Sequence, residues 1–434
     1  MTYYMKKLIV LSLLALLGVG ATTQAQEGAS TIHLSLTEAQ NHALEHNRSL
    51  QNAALDIRIA EAERWKTIAS FLPQVNASLD YQNFFGYKMD LGGFSIAMPA
   101  YGSLGLTTSM ALSASQIIGL QLTEISTRMS EINQQITEQD ITSQVKVLYF
   151  STLVTEETIK LLSENLNNLR QLHSYSQKAV EVGAAEQVDA DQLLVQVATM
   201  ESGLNAAKRS LEMVYNAMRL QLCLPVDTEI VLTQGLNDLL NAEESTRLLA
   251  ADFLPEKNFT LQLLEESTEM SKKQVRMAQW AYAPTISVFH QYSTRKYFSD
   301  EKTMNMTPPN LLGISLSVPI FSSGSRYSAV QSAKRSYEKQ LNTLADTQDA
   351  MEIQHRQLCY NLVSAQEDFQ NQANNVEVTQ RVFDNMAKKY EHGHASSMDL
   401  TTSSTNLISA QSSYVQSLLE YVKATIELEK LLNL

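Results

Sequence analysis

The chain has 434 residues, which is long enough for two or three ordinary domains. Only 18% of the residues are charged, and glycine and proline are scarce at 15 and 8, so long regular elements with few turns are expected. The net charge of −13 argues against nucleic acid or an anionic membrane surface as a partner. The two cysteines imply no disulfide framework.

Residues 1–25 have the pattern of a secretory signal peptide. Lys6 and Lys7 precede an apolar run, and Thr23 and Ala25 are small residues placed for cleavage after Ala25. The apolar run is too short to span a membrane, no other segment is long enough, and no cysteine follows it as a lipid anchor. We therefore expect an exported protein that crosses a membrane, if at all, as a closed β-barrel.

The sequence repeats itself with a shift of about 210 residues. Four pairs of segments match in the same order: Asn47–Gln51 with Asn258–Gln262, Phe71–Val75 with Tyr282–Ile286, Tyr149 with Tyr360, and Lys178–Asp189 with Lys388–Asp399. Because the shift hardly drifts along the chain, the ordered matches favour duplication over chance similarity. The protein is predicted to be a duplication of one structural unit.

Each unit changes its hydrophobic period at a proline, Pro73 or Pro284. Before the proline, apolar residues recur at helical spacing, which predicts one helix from about Leu36 to Phe71 in the first unit. After it, they alternate with polar residues in two runs of about ten residues. That length suits a tilted membrane-spanning strand. The pattern predicts β-hairpins over residues 72–112 and 284–321, with a soluble sandwich as the alternative for any single strand.

Two long tracts without glycine or proline follow the hairpins, at residues 120–182 and 325–392. Since glycine and proline are the strongest helix breakers, long helices are predicted over residues 113–182 and 322–392. In the second tract, positions spaced alternately by three and four residues from Tyr337 to Tyr390 are mostly apolar, as in a coiled coil. A helix of this length extends for about 100 Å and needs partner helices.

The long helices end at Gly183 and Gly393, where a short turn reverses the chain into a shorter return helix. The predicted boundaries are a first repeat at 26–223, a connecting segment at mid-height at 224–257, and a second repeat at 258–434. Within the repeats we predict tip turns at 183–189 and 393–399, and return helices at 190–222 and 400–432.

Four strands cannot close a membrane barrel, because the smallest known ones have eight. Two copies of the chain would supply eight strands and three would supply twelve, so the chain must oligomerise. The same assembly would let the long helices form a ring of coiled coils around a polar interior. The residues alone therefore predict an oligomeric α+β tube through a membrane, without choosing the number of copies.

The order of these features resembles the TolC-type outer-membrane efflux proteins, or outer membrane factors. The resemblance covers essentially the whole mature chain and includes SVPIFSSG at Ser317–Gly324, VGAAEQVD at the first turn and HGHASSMD at the second. It implies a homotrimer with a twelve-stranded β-barrel in the outer membrane, continuous with a long periplasmic α-helical barrel. It also implies a periplasmic adaptor (membrane fusion) protein and an inner-membrane transporter as partners, contact with outer-membrane lipid, no cofactor and no catalytic activity.

The resemblance assigns functional residues to the two turns. Gly183 and Gly393 correspond to sites where adaptor hairpins dock. Asp189 and Asp399 each follow their glycine by six residues, and Asp399 corresponds to an acidic ring at the closed entrance. Tyr390 stands where the family can have a tyrosine in its gating network.

Two positions depart from the family pattern. Ala395 stands where a gating arginine can be found, and Thr402 stands where a second acidic ring can be found. Asp191 in the first turn is a candidate to replace part of the missing charge. For Asp399, helix N-capping and the acidic ring are compatible interpretations, and for Asp189 the N-cap is favoured.

His392 and His394 beside Glu391 are a weak candidate metal site. Their spacing of two residues differs from the four-residue spacing of helical metal ligands, so polar turn residues are the plainer interpretation. For the whole chain we weigh an outer-membrane exit duct of a tripartite efflux or type I secretion system against a periplasmic coiled-coil adaptor or scaffold. An exported enzyme is the third alternative, and no nucleophile motif supports it.

Overall fold

The computed structural model describes residues 31–90, 92–93, 95–239, 242–298 and 308–433. The predicted signal peptide at residues 1–25 lies outside the described residues. So does most of the link between the strands of the second hairpin.

The first repeat contains a short strand, two helices, a hairpin with a two-stranded insertion, and two further helices. In chain order these are β1 (Thr31–Leu34), α1 (Leu36–His46), α2 (Arg48–Ala69), β2 (Gln74–Gln82), β3 (Lys88–Asp90), β4 (Ser95–Ala97), β5 (Tyr101–Ser113), α3 (Ala114–Glu181) and α4 (Gln187–Gln221). With 68 residues, α3 is about 100 Å long.

The connecting segment and the second repeat follow. Their elements are β6 (Glu229–Leu232), α5 (Leu236–Leu239), α6 (Ala242–Leu249), a 3-10 turn (Pro255–Lys257), α7 (Phe259–Trp280), β7 (Thr285–Tyr297), β8 (Asn310–Ser317), α8 (Ser325–Glu391) and α9 (Ser397–Leu432). The long helix α8 has 67 residues, close to the length of α3. The two repeats therefore share the order of helix, hairpin, long helix and return helix, with long helices of nearly equal length.

The two hairpins join into one antiparallel sheet with the strand order β2-β5-β7-β8. Across this sheet, Leu79 lies opposite Leu104 and Met110 lies opposite Val288, so one face is mainly apolar. The other face carries small polar residues such as Ser287 and Ser315, whose hydroxyls hydrogen-bond at 2.7 Å. In one chain the outer edges of β2 and β8 have no strand partner among the described residues.

The long helices are covered by shorter ones on both sides of mid-height. On the sheet side, α2 packs along α3 and α7 packs between α3 and α8. On the far side, α4 packs along α3 and α9 packs along α8. On α8 the predicted apolar positions Leu358, Leu362, Ala365 and Phe383 are buried.

The expected single helix from Leu36 to Phe71 is wrong, because it breaks at Asn47. This residue has extended backbone (φ −67°, ψ 126°), and its side chain accepts a hydrogen bond from the Ser49 amide at 2.8 Å. Its own amide group donates to the Gln221 carbonyl at 3.0 Å. Asn47 therefore caps α2 and ties it to the end of α4.

The second repeat has the same capping arrangement at Asn258. Its side chain accepts from the amides of Thr260 and Leu261 at 3.0 and 3.2 Å, and it donates to the Leu431 carbonyl at 3.1 Å. The duplication has therefore kept a buried asparagine that joins the start of one helix to the end of the return helix.

A parallel pair of strands, β1 and β6, was not expected from the sequence. It packs against the middle of α3, where the Tyr149 side chain is fully buried. The Tyr149 hydroxyl donates to the Leu34 carbonyl at 3.1 Å. Its counterpart Tyr360 is 76% exposed, so the mid-height structure breaks the symmetry of the repeats.

We predict that Asn47→Ala lowers the free energy of unfolding by about 2 kcal/mol, because it removes a helix cap and leaves the partly buried Gln221 carbonyl without its donor. Chemical denaturation of the detergent-solubilised protein measures the loss. Asn258→Ala should cost a similar amount, whereas Asn41→Ala, at an exposed position of α1, should cost almost nothing. A loss for Asn47→Ala no larger than for Asn41→Ala would contradict the capping role.

Candidate functional site

Both chain reversals at the far end of the long helices have the same backbone geometry. Gly183 and Gly393 have left-handed φ angles of 74° and 71°. The residue after each glycine donates its amide back into the helix: Ala184 to the Ala179 carbonyl at 2.8 Å, and His394 to the Lys389 carbonyl at 2.7 Å. This is the Schellman pattern of helix termination, and it explains why glycine is favoured at both turns.

The predicted starts of the return helices are wrong by three residues. The helices α4 and α9 begin at Gln187 and Ser397, rather than at residues 190 and 400. The N-cap residues are Glu186 and Ser396, so Asp189 and Asp399 lie in the first helical turn and are not N-caps.

Asp399 nevertheless takes part in capping. The Ser396 hydroxyl donates to the Asp399 carboxylate at 2.7 Å, and the Asp399 amide donates back to the Ser396 hydroxyl at 3.2 Å. These two residues form a capping box at the start of α9. The hydrogen bonds from Ser396 lower the pKa of the Asp399 carboxyl, so it remains ionised at neutral pH.

Asp189 connects the two turns. The Ser397 hydroxyl donates a hydrogen bond to the Asp189 carboxylate, and Ser397 is only 4% exposed. The Gln192 side-chain oxygen lies 3.4 Å from the same hydroxyl. A cross-turn contact therefore replaces the N-cap that was favoured for Asp189.

An apolar cluster supports this contact from the side of the helices. It contains residues from all four helices that end or begin here: Leu172, Leu193, Phe383, Leu400 and Leu407. Tyr390 packs against the edge of the cluster. Within one chain, the two turns are therefore held together as a single packed unit.

A groove of about 550 Å³ lies between the two turns. Its walls include Asp189, Tyr390, Gly393 and Ala395, so the structure brings together residues that were assigned from both repeats. Tyr175 and Ser176 also line the groove, and no sequence pattern pointed to them. The Ser176 hydroxyl is buried and has no hydrogen-bond partner among the described residues.

The remaining predicted site residues lie outside the lining of this groove. Asp191 and Asp399 are exposed, and the Gln187 side chain donates to Asp191 at 2.9 Å. Gly183 is exposed in its turn, and Thr402 donates its hydroxyl to the Met398 carbonyl at 2.8 Å. Asp399 therefore faces solvent in one chain, apart from its contact with Ser396.

His392 and His394 are both exposed beside Gly393. Within the described part of the chain, no group of three or more histidine, cysteine, aspartate or glutamate side chains is arranged to hold a metal ion. The helices present in the described residues lack any segment long and apolar enough to cross a membrane.

The fold and the two turns define a class of protein: a duplicated chain with an open four-stranded sheet continuous with very long paired helices. The sequence model of the outer membrane efflux protein family matches residues 39–222 and 241–434, which is most of the chain. The chain therefore belongs to the outer membrane efflux protein family. This is a family of channels and not of enzymes, and its members work as trimers with periplasmic adaptors and inner-membrane pumps.

Solved structures of outer-membrane channels share the fold. The CmeC channel of Campylobacter jejuni has a TM-score of 0.75 at 17% identity, covering 95% of this chain and 90% of its own. VceC of Vibrio cholerae has a TM-score of 0.75 at 14% identity, covering 92% and 95%. MtrE of Neisseria gonorrhoeae, solved in an open state, has a TM-score of 0.74 at 17% identity, covering 92% and 88%. A comparison with curated proteins gives no significant match.

These findings confirm the predicted family, fold class, efflux function and outer-membrane location extending into the periplasm. They also decide between the alternatives: the channel is supported over the periplasmic adaptor or scaffold. The roles of individual residues at the turns stay predictions.

We predict that the first turn of α9 loses protection from hydrogen exchange as the pH falls below about 4. The pKa of Asp399 is lowered from its ordinary value of 3.8 in the folded chain, so its stabilising contribution is present above that value and is lost as the carboxylate is protonated. Protection factors for the amides of residues 397–400 measure the change. In Ser396→Ala the same amides should be weakly protected at every pH, and a pH response equal to the wild type would contradict this assignment.

Proposed function

We propose that three copies of this chain form the outer-membrane exit duct of a tripartite efflux or type I secretion system. The duct conducts substrates passively from an inner-membrane pump and a periplasmic adaptor to the exterior. The main observation is the four-stranded sheet, whose edge strands β2 and β8 have no strand partner among the residues that the structure describes. Three such sheets joined edge to edge give a closed twelve-stranded barrel.

The long helices support the same proposal. In each chain, α3 and α8 leave the sheet and extend for about 100 Å, so a trimer continues its barrel into a periplasmic tube. Because a pore of this kind has no chemical step, we further propose that the chain has no catalytic activity of its own. The energy for transport then comes from the pump.

We propose that the groove between the two turns is part of the closed entrance. Asp189 is hydrogen-bonded to Ser397 of the second turn, and Tyr390 packs against the apolar cluster beneath the two turns. Both side chains therefore favour the arrangement in which the two turns of one chain are held together. Exposed Asp399 and Asp191 supply negative charge around the entrance. In a trimer, Asp399 forms a ring of three carboxylates that attracts cations.

We propose that Gly183 and Gly393 are the adaptor-docking positions. At each, a side chain would meet no atom within 4 Å in the single chain, so the surface is open to a partner. The proposed signal peptide at residues 1–25 directs the chain to export, and the segment at residues 224–257 joins the two repeats at mid-height.

We predict that Asp399→Ala raises single-channel conductance or weakens block by divalent cations in planar bilayers, because it removes the proposed acidic ring. The substitution also removes a capping partner, so Ser396→Ala is the matched control: it breaks the same capping box and keeps the charge. The ring assignment would be lost if Asp399→Ala left both quantities unchanged, or if Ser396→Ala changed them equally.

We predict that Gly393→Asn abolishes efflux and co-purification with the periplasmic adaptor and the inner-membrane pump. Asparagine tolerates the left-handed backbone, so the turn is kept while a side chain enters the docking surface. Gly324→Asn is the matched control, since Gly324 has a φ of 82°, equally open surroundings and a position at the opposite end of α8.

Both variants should be extracted from the outer membrane with detergent as trimers. Efflux by Gly393→Asn at the level of Gly324→Asn would contradict the docking role. A water-soluble monomer, for the wild type, would overturn the proposal of a duct.

A further inference from the structure

Both tryptophans of the chain lie near the base of the four-stranded sheet, where helices lead into strands. Trp65 is in the last part of α2, and Trp280 is the last residue of α7. They are 62% and 50% exposed in the single chain. Two large exposed rings near one level of the molecule suggest a common neighbour outside the chain.

Other apolar side chains are exposed at the same level. Tyr282 lies in the link before β7, and Ile320 and Phe321, both largely exposed, lie between β8 and α8. The guanidinium group of Arg326 in the first turn of α8 lies 5.6 Å from the centre of the Tyr282 ring. Its Nη1 atom donates to the Pro319 carbonyl at 2.9 Å. The links before β7 and after β8 are therefore held together at the base of the sheet.

The opposite end of the sheet indicates how far away the second membrane boundary lies. There the rings of Tyr81 and Phe298 pack with centroids 5.9 Å apart, and Tyr81 is on the same apolar face as Leu79. Tyr81 is paired with Gly102, from which β5 continues to Ser113. At a tilt of about 40° this part of β5 rises about 28 Å. That rise is close to the apolar band of about 25 Å that aromatic girdles flank in membrane barrels.

The second boundary therefore falls at the exposed tryptophans. Ser113 is paired with Thr285, the first residue of β7. Tyr282 and Trp280 come shortly before Thr285 in the chain, so they lie at this boundary or just beyond it. Tryptophan and tyrosine are enriched at membrane–water interfaces, where their rings lie at the level of the lipid headgroups.

A neighbouring chain in the trimer would not cover these rings. In one chain α7 packs between α3 and α8, so Trp280 keeps its exposure with a long helix on either side. Through the repeat shift, Trp65 corresponds to Arg276 of α7, which is exposed in the same setting. Because α2 has the equivalent place in the first repeat, we expect Trp65 to lie on the free surface of the assembly as well.

We propose that Trp65, Trp280 and Tyr282 bind phospholipid of the inner leaflet, so that the ends of α2 and α7 lie within its headgroup region. This girdle fixes how far the helical tube projects into the periplasm. The proposal rests on the proposed closed barrel, which places lipid around the apolar face of the sheet.

The two tryptophans differ in depth. The ends of α2 and α7 are equivalent in the repeats, and Trp280 lies four residues closer to its helix end than Trp65 does. At 1.5 Å per residue, Trp280 is about 6 Å nearer to the hydrocarbon.

Tryptophan fluorescence of the full chain in vesicles of phosphatidylethanolamine and phosphatidylglycerol tests the proposal. Trp65→Phe leaves Trp280 as the only tryptophan, and Trp280→Phe leaves Trp65. Including phosphatidylcholine that is brominated near the headgroup end of its chains should quench the emission of Trp280 by about half and that of Trp65 less. Iodide in the aqueous phase should quench both weakly.

The matched control is Tyr360→Trp in a chain that also carries Trp65→Phe and Trp280→Phe, because Tyr360 is an exposed aromatic residue at mid-height. Its emission should not respond to brominated lipid. The proposal is overturned if the chain inserts and its own tryptophans respond to iodide but not to brominated lipid. A chain that does not insert overturns the proposed duct and this proposal with it, so the two failures are distinguishable.

Discussion

A bilayer allows no unpaired backbone groups, and the rest of this structure depends on that constraint. Each amide or carbonyl left open in hydrocarbon costs several kcal/mol, so a sheet in a membrane must close on itself. In the described part of the chain, four strands form this sheet and the outer edges of β2 and β8 are open. Closure therefore requires other copies of the chain, and the helices that continue from the strands are brought into the same ring. Oligomerisation is thus a condition for membrane insertion of this fold.

The two repeats share a small number of local structural features, namely helix caps and left-handed turns. Asn47 and Asn258 each cap one helix and bind the end of another, and Gly183 and Gly393 each end a long helix in the same left-handed turn. These features are local in sequence or nearly so, which lets them survive when one unit is copied. The repeats differ where a third element intervenes, as at mid-height, where the β1–β6 pair covers one face of α3.

Much of the fold could be predicted from the sequence because its determinants are local. The change of period at Pro73 and Pro284 located the hairpins, and the absence of glycine and proline located the long helices. The break at Asn47 was missed because the flanking residues keep a helical pattern on both sides. Placing the two aspartates at the N-cap puts the starts of α4 and α9 three residues too late, since these helices begin at Gln187 and Ser397. For α9, the three-residue spacing of Ser396 and Asp399 is that of a capping box and indicates the observed start.

The features that escaped prediction are mainly contacts between distant parts of the chain. The pairing of β1 with β6 and the hydrogen bond from Ser397 to Asp189 each join residues about two hundred positions apart, and no periodicity in either segment specifies the partner. The buried hydroxyl of Ser176 depends on the packing of distant segments in the same way.

The unequal chemistry of the two turns has a consequence for stoichiometry. One turn presents Val182 and Ala184 beside its glycine, and the other presents His392 and His394. Around a trimer these turns alternate, so six hairpin ends form two kinds of junction, three of each. Each junction contains one turn of each kind, and the two kinds of junction differ in whether the neighbouring turns come from one chain or from two. A single type of partner subunit that fills all six positions must tolerate both, whereas a selective one binds with three copies.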